Sequence, residues 1–218
     1  MEEREGGFEA VLSQAGEWGR WQWRMVGVMT TPAAVASLAT LSWIFTAQAG
    51  AGPDQSILAW LEVEREDRAW LASVLAPAFM AGMLVGAPSL GCLSDRRGRL
   101  VSLLLSLALT ATPGSLTSLL PPGPSSLPWL LALRFLTGVG AGGVLVGNFV
   151  YLVEWPSSGS HYGRFRAALA LHLGWNLGQL VLVLSSCLLQ DWRHLQLLTH
   201  LTGVPVLLLL LAQPESAR

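Results

Sequence analysis

The sequence contains no lysine and has few charged residues of any kind. Only 12% of its 218 residues are charged, roughly half the share found in soluble domains, which is too little to cover a water-facing surface. The 13 basic residues, all arginine, are balanced by 14 acidic ones, so there is no basic excess to attract a nucleic-acid partner. Two cysteines are too few for a disulfide framework or a zinc site.

Acidic side chains are also missing from the interior of every apolar run, so no carboxylate proton relay is visible there. Outside those runs there is no cluster of Ser, His and Asp suited to nucleophilic catalysis. We therefore expect a protein that is not an enzyme and that needs no cofactor or metal.

What the sequence has instead is long apolar runs. A helix that crosses a bilayer needs about 20 mostly apolar residues. Six runs qualify, at residues 25–47, 70–91, 100–120, 128–152, 167–189 and 194–212. The alternative, a soluble protein with buried helices, would leave too little polar surface. The sequence predicts an all-α, polytopic membrane protein with six transmembrane helices between residues 25 and 212, embedded in a lipid bilayer.

The arginines outside the runs predict the orientation, because cytoplasmic loops are richer in Arg. With the N-terminus inside, the cytoplasmic side would carry Arg4, Arg20, Arg24, Arg96, Arg97, Arg99, Arg164, Arg166 and Arg218. The opposite side would carry only Arg65, Arg68 and Arg193. Both termini are thus expected in the cytoplasm, with residues 1–24 forming an amphipathic interfacial segment and residues 213–218 beginning a cytoplasmic loop.

Residues 91–99, GCLSDRRGR, join the second and third runs. Gly91 and Gly98 permit close approach and a tight turn, and Asp95 is placed just before the third helix, whose positive N-terminal end favours a carboxylate. Arg96 and Arg99 would face the cytoplasm and its anionic lipids. A simple positively charged loop would explain the arginines but not the two glycines and the aspartate at these offsets.

The fourth run holds an arginine and several glycines. Arg134 lies inside the run, where a charge costs about 2.5–3.5 kcal/mol on insertion scales, so it should face the bundle interior unless it snorkels to the nearby end. The segment GVGAGG resembles a dinucleotide fingerprint, but the strand and βαβ unit that such a site needs are missing. Small residues four apart, Gly138 with Gly142 and Gly143 with Gly147, instead predict closely packed helices.

The fifth run carries a polar stripe. His172, Trp175, Asn176 and Gln179 follow one helical face. This face would either line a substrate cavity, with Trp175 as a flat surface for organic cations or rings, or hydrogen-bond to other helices, and the pattern leaves both open. The hydroxyls of the first run are weaker candidates, because hydroxyls often bond their own backbone. The full set of residues expected to line a cavity is Arg134, Asn148, His172, Trp175, Asn176 and Gln179.

These segments together resemble the organic cation/anion transporter family, solute carrier family 22, within the major facilitator superfamily. The resemblance is carried by residues 8–22, 70–99, 134–143, 151–158, 191–198 and 214–216. The resemblance covers nearly the whole chain. It indicates that the chain is similar to the N-terminal half of that family's fold and is a divergent member.

The resemblance implies two six-helix bundles that rock about a site at the membrane midplane. It also implies that Asp95 and Arg99 latch the cytoplasmic side, and that Glu154 forms a second charge cluster there with Arg164 or Arg166. The protein would lie in the plasma membrane, and its substrate would be a small organic ion. Arg134, as the buried charge, weakly favours an anionic substrate. The second half would come from another polypeptide or another copy of this chain. The alternative is a non-transporting receptor or regulator that binds a full-length relative.

The sequence departs from the family between residues 48 and 69. That loop has neither cysteine nor an N-x-S/T site, whereas the family carries a large extracellular loop with both. The resemblance therefore gives no support here for oligomerisation or glycosylation through an extracellular domain.

Overall fold

The computed structural model describes residues 20–48, 56–57, 61, 65–154 and 161–213, and within them helix dominates. The helices are α1 Arg20–Gln48, α2 Arg65–Arg97, α3 Arg99–Leu116, α4 Leu127–Glu154, α5 His161–Leu188, α6 Trp192–Leu201 and α7 Gly203–Leu211. Six helical segments are long and apolar enough to cross a membrane, and the described residues contain no strand. The predicted all-α bundle with six transmembrane helices is confirmed.

Several helices extend beyond the apolar runs that predicted them. The second helix continues through most of the predicted loop to Arg97, and α3 begins at Arg99, so Gly98 alone separates them. Gly98 has a φ of 105°, a left-handed conformation that glycine adopts without strain. The expectation that Asp95 sits just before α3 was therefore wrong, because Asp95 lies in the last turn of α2. An apolar run ends where polar residues begin, whereas a helix can continue among them.

The sixth segment is interrupted rather than continuous. Residues 192–211 are together long and apolar enough for one span, but α6 ends at Leu201 and α7 begins at Gly203. Pro205 lacks the N–H that would bond the Leu201 carbonyl one turn earlier, which accounts for the break. The predicted run of residues 194–212 located the span and missed this interruption.

The N-terminal segment predicted at residues 1–24 lies mostly outside the described residues. Its last turn is described and belongs to α1, which begins at Arg20. The connection between α3 and α4 contains a short 3-10 turn at Pro124–Ser126, and α4 begins at Leu127.

The fourth helix lies at the centre of the packing, against α2 on one side and α3 on another, while α1 pairs chiefly with α5 and also contacts α4. The apolar core between them includes Met29 of α1, Leu103 and Leu107 of α3, and Val144 and Tyr151 of α4. Both α1 and α4 therefore pack against neighbours on several sides. This packing positions the side chains of α1 and α4 that face α5.

Glycines bring α2 and α4 into backbone contact. A β-carbon added to Gly138 would lie within about 3 Å of the Phe79 carbonyl group, and one added to Gly142 would meet the Met83 carbonyl oxygen at 2.7 Å. Such separations are tighter than a side chain tolerates, so only glycine fits at this crossing. The predicted close packing through Gly138 and Gly142 is confirmed, and we call this contact the glycine seam.

The hydroxyl groups of α1 bond to their own helix. Six Ser and Thr side chains each donate to a backbone carbonyl three or four residues earlier, at 2.6–3.3 Å. They are Thr30, Thr31, Ser37, Thr40, Ser42 and Thr46. Because a hydroxyl has one hydrogen to donate, these groups have already used theirs, as the sequence suggested.

Candidate functional site

A groove with a volume of about 310 Å³ lies between α1, α4 and α5. Its walls are largely apolar and come from Ala33 of α1, Leu145 and Phe149 of α4, and Leu171 of α5. Three polar or aromatic residues complete the lining, namely Asn148, His172 and Trp175. A volume of this size lies at the lower end of the range for small-molecule sites, and a few polar groups in an apolar wall are typical of them.

Asn148 is held rigidly in this groove. Its side chain is buried, with 1% of the residue exposed, and Nδ2 donates to the Met29 carbonyl oxygen at 2.9 Å. A carbonyl oxygen can only accept, so this contact fixes which end of the amide faces α1. The amide oxygen, Oδ1, is buried and has no hydrogen-bond partner among the described residues.

His172 adds a second polar atom to the lining. Its Nδ1 lies 2.8 Å from the Ala168 carbonyl oxygen, so Nδ1 must carry the hydrogen, and in the neutral ring Nε2 is an acceptor. The side chain is exposed, as expected of a residue on an open wall. Trp175, half-buried one turn further along α5, presents its ring to the same groove.

The other members of the polar stripe do not line the groove. Asn176 is exposed, and its Nδ2 donates to the His172 carbonyl oxygen of its own helix at 2.8 Å. Gln179 is half-buried a turn beyond it. The stripe is longer than the groove, so only its first two members reach the described lining.

Arg134 lies apart from the groove. It precedes Asn148 by 14 positions in α4, about 21 Å along the helix axis. Only 2% of the residue is exposed, and Cζ sits 4.8 Å from the centroid of the Trp43 ring and 5.1 Å from that of Phe79. Its Nε has no hydrogen-bond partner among the described residues. The expectation that Arg134 faces the interior is confirmed, and its guanidinium contacts two aromatic rings.

A second cluster of charges lies where α2 passes into α3. Arg99 donates from Nη2 to Glu154 Oε1 at 2.9 Å and from Nε to the same oxygen at 3.2 Å. It also donates from Nη1 to the Asp95 carboxylate and to Ser94 Oγ. The last turn of α2, the first residue of α3 and the last residue of α4 thus meet at one guanidinium. We call these four residues the Arg99 cluster.

The sequence predicted two separate charge clusters here. The structure gives Asp95 and Glu154 a shared arginine, Arg99, and the pairing of Glu154 with Arg164 or Arg166 stays a prediction. Arg99 and Glu154 are 55 residues apart, so no local pattern indicates their contact. Arg166 is exposed, and the side chain of Arg164 lies outside the described residues.

Three further residues that the sequence analysis named in the loop at 91–99 are Gly91, Arg96 and Gly98. Gly98 forms the turn described above, and Gly91 lies within α2, half-buried. A β-carbon at Gly91 would make only an ordinary contact, so close approach does not require glycine there. Arg96 is exposed in the last turn of α2.

Sequence reasoning missed the apolar part of the groove. Leu145 and Phe149 flank Asn148 at helical offsets of three and one, and Leu171 and Ala33 lie on the neighbouring helices. An asparagine inside an apolar run must face the interior, so its neighbours on the same helical face were the available signal. Leu145 shares that face, but nothing in the sequence marks Phe149, Leu171 or Ala33 as different from lipid-facing residues.

The chain forms a bundle of six membrane-length helices with a groove of about 310 Å³ between α1, α4 and α5, and solved structures share this fold. The chain superposes on the xylose transporter XylE from E. coli in a partially occluded inward-open conformation, with a TM-score of 0.76. The match covers 91% of this chain and 49% of that chain. At 18% sequence identity the likeness shows the fold alone.

Residues 69–217 match the Major Facilitator Superfamily, and the chain belongs to this family. It is 33% identical over 152 residues to solute carrier family 22 member 13 of Homo sapiens, which covers 70% of this chain and 26% of that protein. It is 34% identical over 145 residues to organic anion transporter 3 of Homo sapiens, covering 64% of this chain and 24% of that protein. The resemblance to solute carrier family 22 is confirmed, and the chain spans about a quarter of these relatives' length.

Proposed function

We propose that this chain is the solute-binding half of a transporter that moves small organic ions across the plasma membrane by alternating access. The groove between α1, α4 and α5 is the observation that carries the proposal. The chain belongs to a superfamily of transporters, and organic anion transporter 3, one of its relatives, is named for organic anions. A second six-helix half, or a second copy of this chain, would complete the fold, since the match covers about half of XylE.

In this proposal the solute contacts Asn148, His172 and Trp175. Arg134, enclosed between Trp43 and Phe79, would act on the solute only indirectly. Asn176 and Gln179 lie beyond the groove on the same helix, where a second half would face them.

The Arg99 cluster is proposed to latch the cytoplasmic end. It ties α2, α3 and α4 together through one guanidinium, and forming or breaking such a contact shifts the balance between inward-open and outward-open states. Asp95, Arg99 and Glu154 would therefore act on conformation and not on the solute.

Uptake by the reconstituted chain tests the proposal. The 218-residue chain is placed in proteoliposomes and supplied with a radiolabelled aromatic carboxylate or a radiolabelled aromatic quaternary ammonium ion. Saturable uptake of either above empty liposomes supports a transporter formed by paired copies. Absence of uptake by the chain alone, with uptake restored by co-reconstitution of a separate C-terminal six-helix half, supports pairing with a second half. Absence in both cases, with co-purification of a longer relative, favours the non-transporting regulator.

Labelling of the two cysteines tests the proposed orientation. Cys92 and Cys187 are both exposed, and they lie near the ends of α2 and α5, respectively. Because successive spans alternate in direction, these two helix ends fall on opposite sides of the membrane. The end of α5 lies near the turn where Arg193 donates to the Leu120 carbonyl oxygen. With both termini cytoplasmic, a membrane-impermeant maleimide applied to intact cells should label Cys187 and leave Cys92 unlabelled.

Single-cysteine variants read the two positions separately. Cys187→Ser should label only after the membrane is permeabilised, and Cys92→Ser should label in intact cells. The reverse pattern would contradict the proposed orientation while leaving the six-helix fold intact.

A further inference from the structure

We propose that the amide oxygen of Asn148 selects solutes that carry an N–H or O–H donor on an aromatic body. This inference rests on the proposed function, since it takes the groove as the solute site. It concerns a different property, namely which group on the solute the groove recognises.

The first step is the fixed orientation of the amide. The Met29 carbonyl oxygen accepts from Asn148 Nδ2 at 2.9 Å, and a flipped amide would place two oxygens against each other. Oδ1 is therefore directed away from that contact. With 1% of the residue exposed, the amide has no room to exchange its two ends without breaking the bond to α1.

The second step is that Oδ1 lacks a partner. It is buried and receives no hydrogen bond within the described part of the chain, although its residue lines the groove. Buried acceptors are almost always satisfied, and leaving one bare in an apolar wall is costly. A solute in the groove that brings a donor would satisfy it.

The third step concerns the rest of the lining. In the neutral ring, Nε2 of His172 is a second acceptor, since Nδ1 is engaged with the Ala168 carbonyl oxygen. None of the residues described as lining the groove carries a fixed charge, and the guanidinium of Arg134 is held elsewhere between two rings. The lining therefore recognises hydrogen-bond donors more directly than it recognises net charge, and the lean towards anions that Arg134 suggested finds no support in the groove.

The fourth step is the body that carries the donor. Trp175 offers a flat ring on the same wall, and Leu145, Phe149 and Leu171 add apolar surface around Asn148. Aromatic rings stack favourably on such a surface. A planar solute lying on Trp175 with one donor turned to α4 fits both features.

A matched pair of ligands tests this recognition. The probes are (4-hydroxyphenyl)trimethylammonium and its methyl ether, (4-methoxyphenyl)trimethylammonium, which differ by a single O–H donor and carry no other donor. Binding to the purified chain in nanodiscs is measured by isothermal titration calorimetry, with empty nanodiscs as blank. One added hydrogen bond to a buried acceptor should make the phenol bind about tenfold more tightly.

A variant at Asn148 assigns the preference to the amide oxygen. In Asn148→Leu, which keeps the size and removes the acceptor, the ratio of the two dissociation constants should fall to about one. Gln213→Leu makes the same amide-to-aliphatic change just beyond the end of α7, and its ratio of dissociation constants should match that of the unmodified chain.

The outcomes separate this inference from the proposed function. Equal binding of the two probes by the unmodified chain overturns the inference without requiring any variant to fold, and so does a preference that survives in Asn148→Leu. Binding of neither probe by any form counts against the groove as a solute site, and thus against the proposed function.

Discussion

Replacing Gly138 by alanine should lower the free energy of unfolding by about 1–3 kcal/mol, the usual cost of overfilling a packed contact. The added methyl group would lie within about 3 Å of the Phe79 carbonyl group, which is backbone and cannot move aside without moving α2. The helices must separate along the whole glycine seam to admit it. Thermal unfolding of the purified chain in detergent, followed by tryptophan fluorescence, measures the loss.

Gly147→Ala is the matched control for this change. It lies on the same helix, and its new methyl group would meet only the Leu103 Cδ1 atom at 3.9 Å, an ordinary contact. Alanine is favoured over glycine inside a helix by about 0.5–1 kcal/mol, so this variant should unfold at the same or a higher temperature. Equal destabilisation by the two substitutions would show that a cause common to both, and not the glycine seam, sets the effect.

Replacing Glu154 by glutamine should cost about 2 kcal/mol of unfolding free energy, in the range measured for hydrogen bonds to charged groups. Only 11% of the Glu154 side chain and 21% of that of Arg99 are exposed, so water replaces the lost contact poorly. Arg99 keeps its contact with Asp95, which holds the loss below that of a fully buried pair. The same thermal unfolding assay reports it.

Asp95→Asn removes the other carboxylate from the same arginine. The Asp95 side chain is 67% exposed, and exposed ion pairs contribute about 0.2–1 kcal/mol. This variant should therefore lose clearly less stability than Glu154→Gln. The opposite ranking would mean that the contact within the α2–α3 turn, and not the contact across to α4, holds the Arg99 cluster together.

The fold was predictable because it depends on the apolar length of each helix, which can be read for each helix separately. Every crossing helix needs its own length of apolar sequence, so the six spans could be counted without knowing which helices touch. Gly138 and Gly142 could be assigned to a helix contact for a similar reason, since their spacing places both on one face. The helix ends could not be located in this way, because residues such as Asp95 remain helical in the polar region beyond the apolar run.

The candidate site was only partly predictable, because its contacts depend on how distant segments align. Asn148 and Met29 are 119 residues apart, and which polar atom of Asn148 stays bare depends on that pairing. The surroundings of Arg134 depend on how α1 and α2 align along α4, because this alignment brings Trp43 of α1 and Phe79 of α2 to the level of Arg134. Composition marked Arg134 as buried, but it could not distinguish an arginine enclosed by rings from one that faces a solute.

The self-bonded hydroxyls of α1 have a consequence for comparing this protein with its relatives. Each of the six hydroxyl groups already donates its only hydrogen within its own helix, as Thr30 does to the Gly27 carbonyl oxygen. Exchanges among serine, threonine and alanine at these positions should therefore have little effect on solute binding in the proposed groove. Under the proposed function, two homologues that differ at all six positions should bind the same solutes, whereas a single exchange at Asn148 should change which solutes bind.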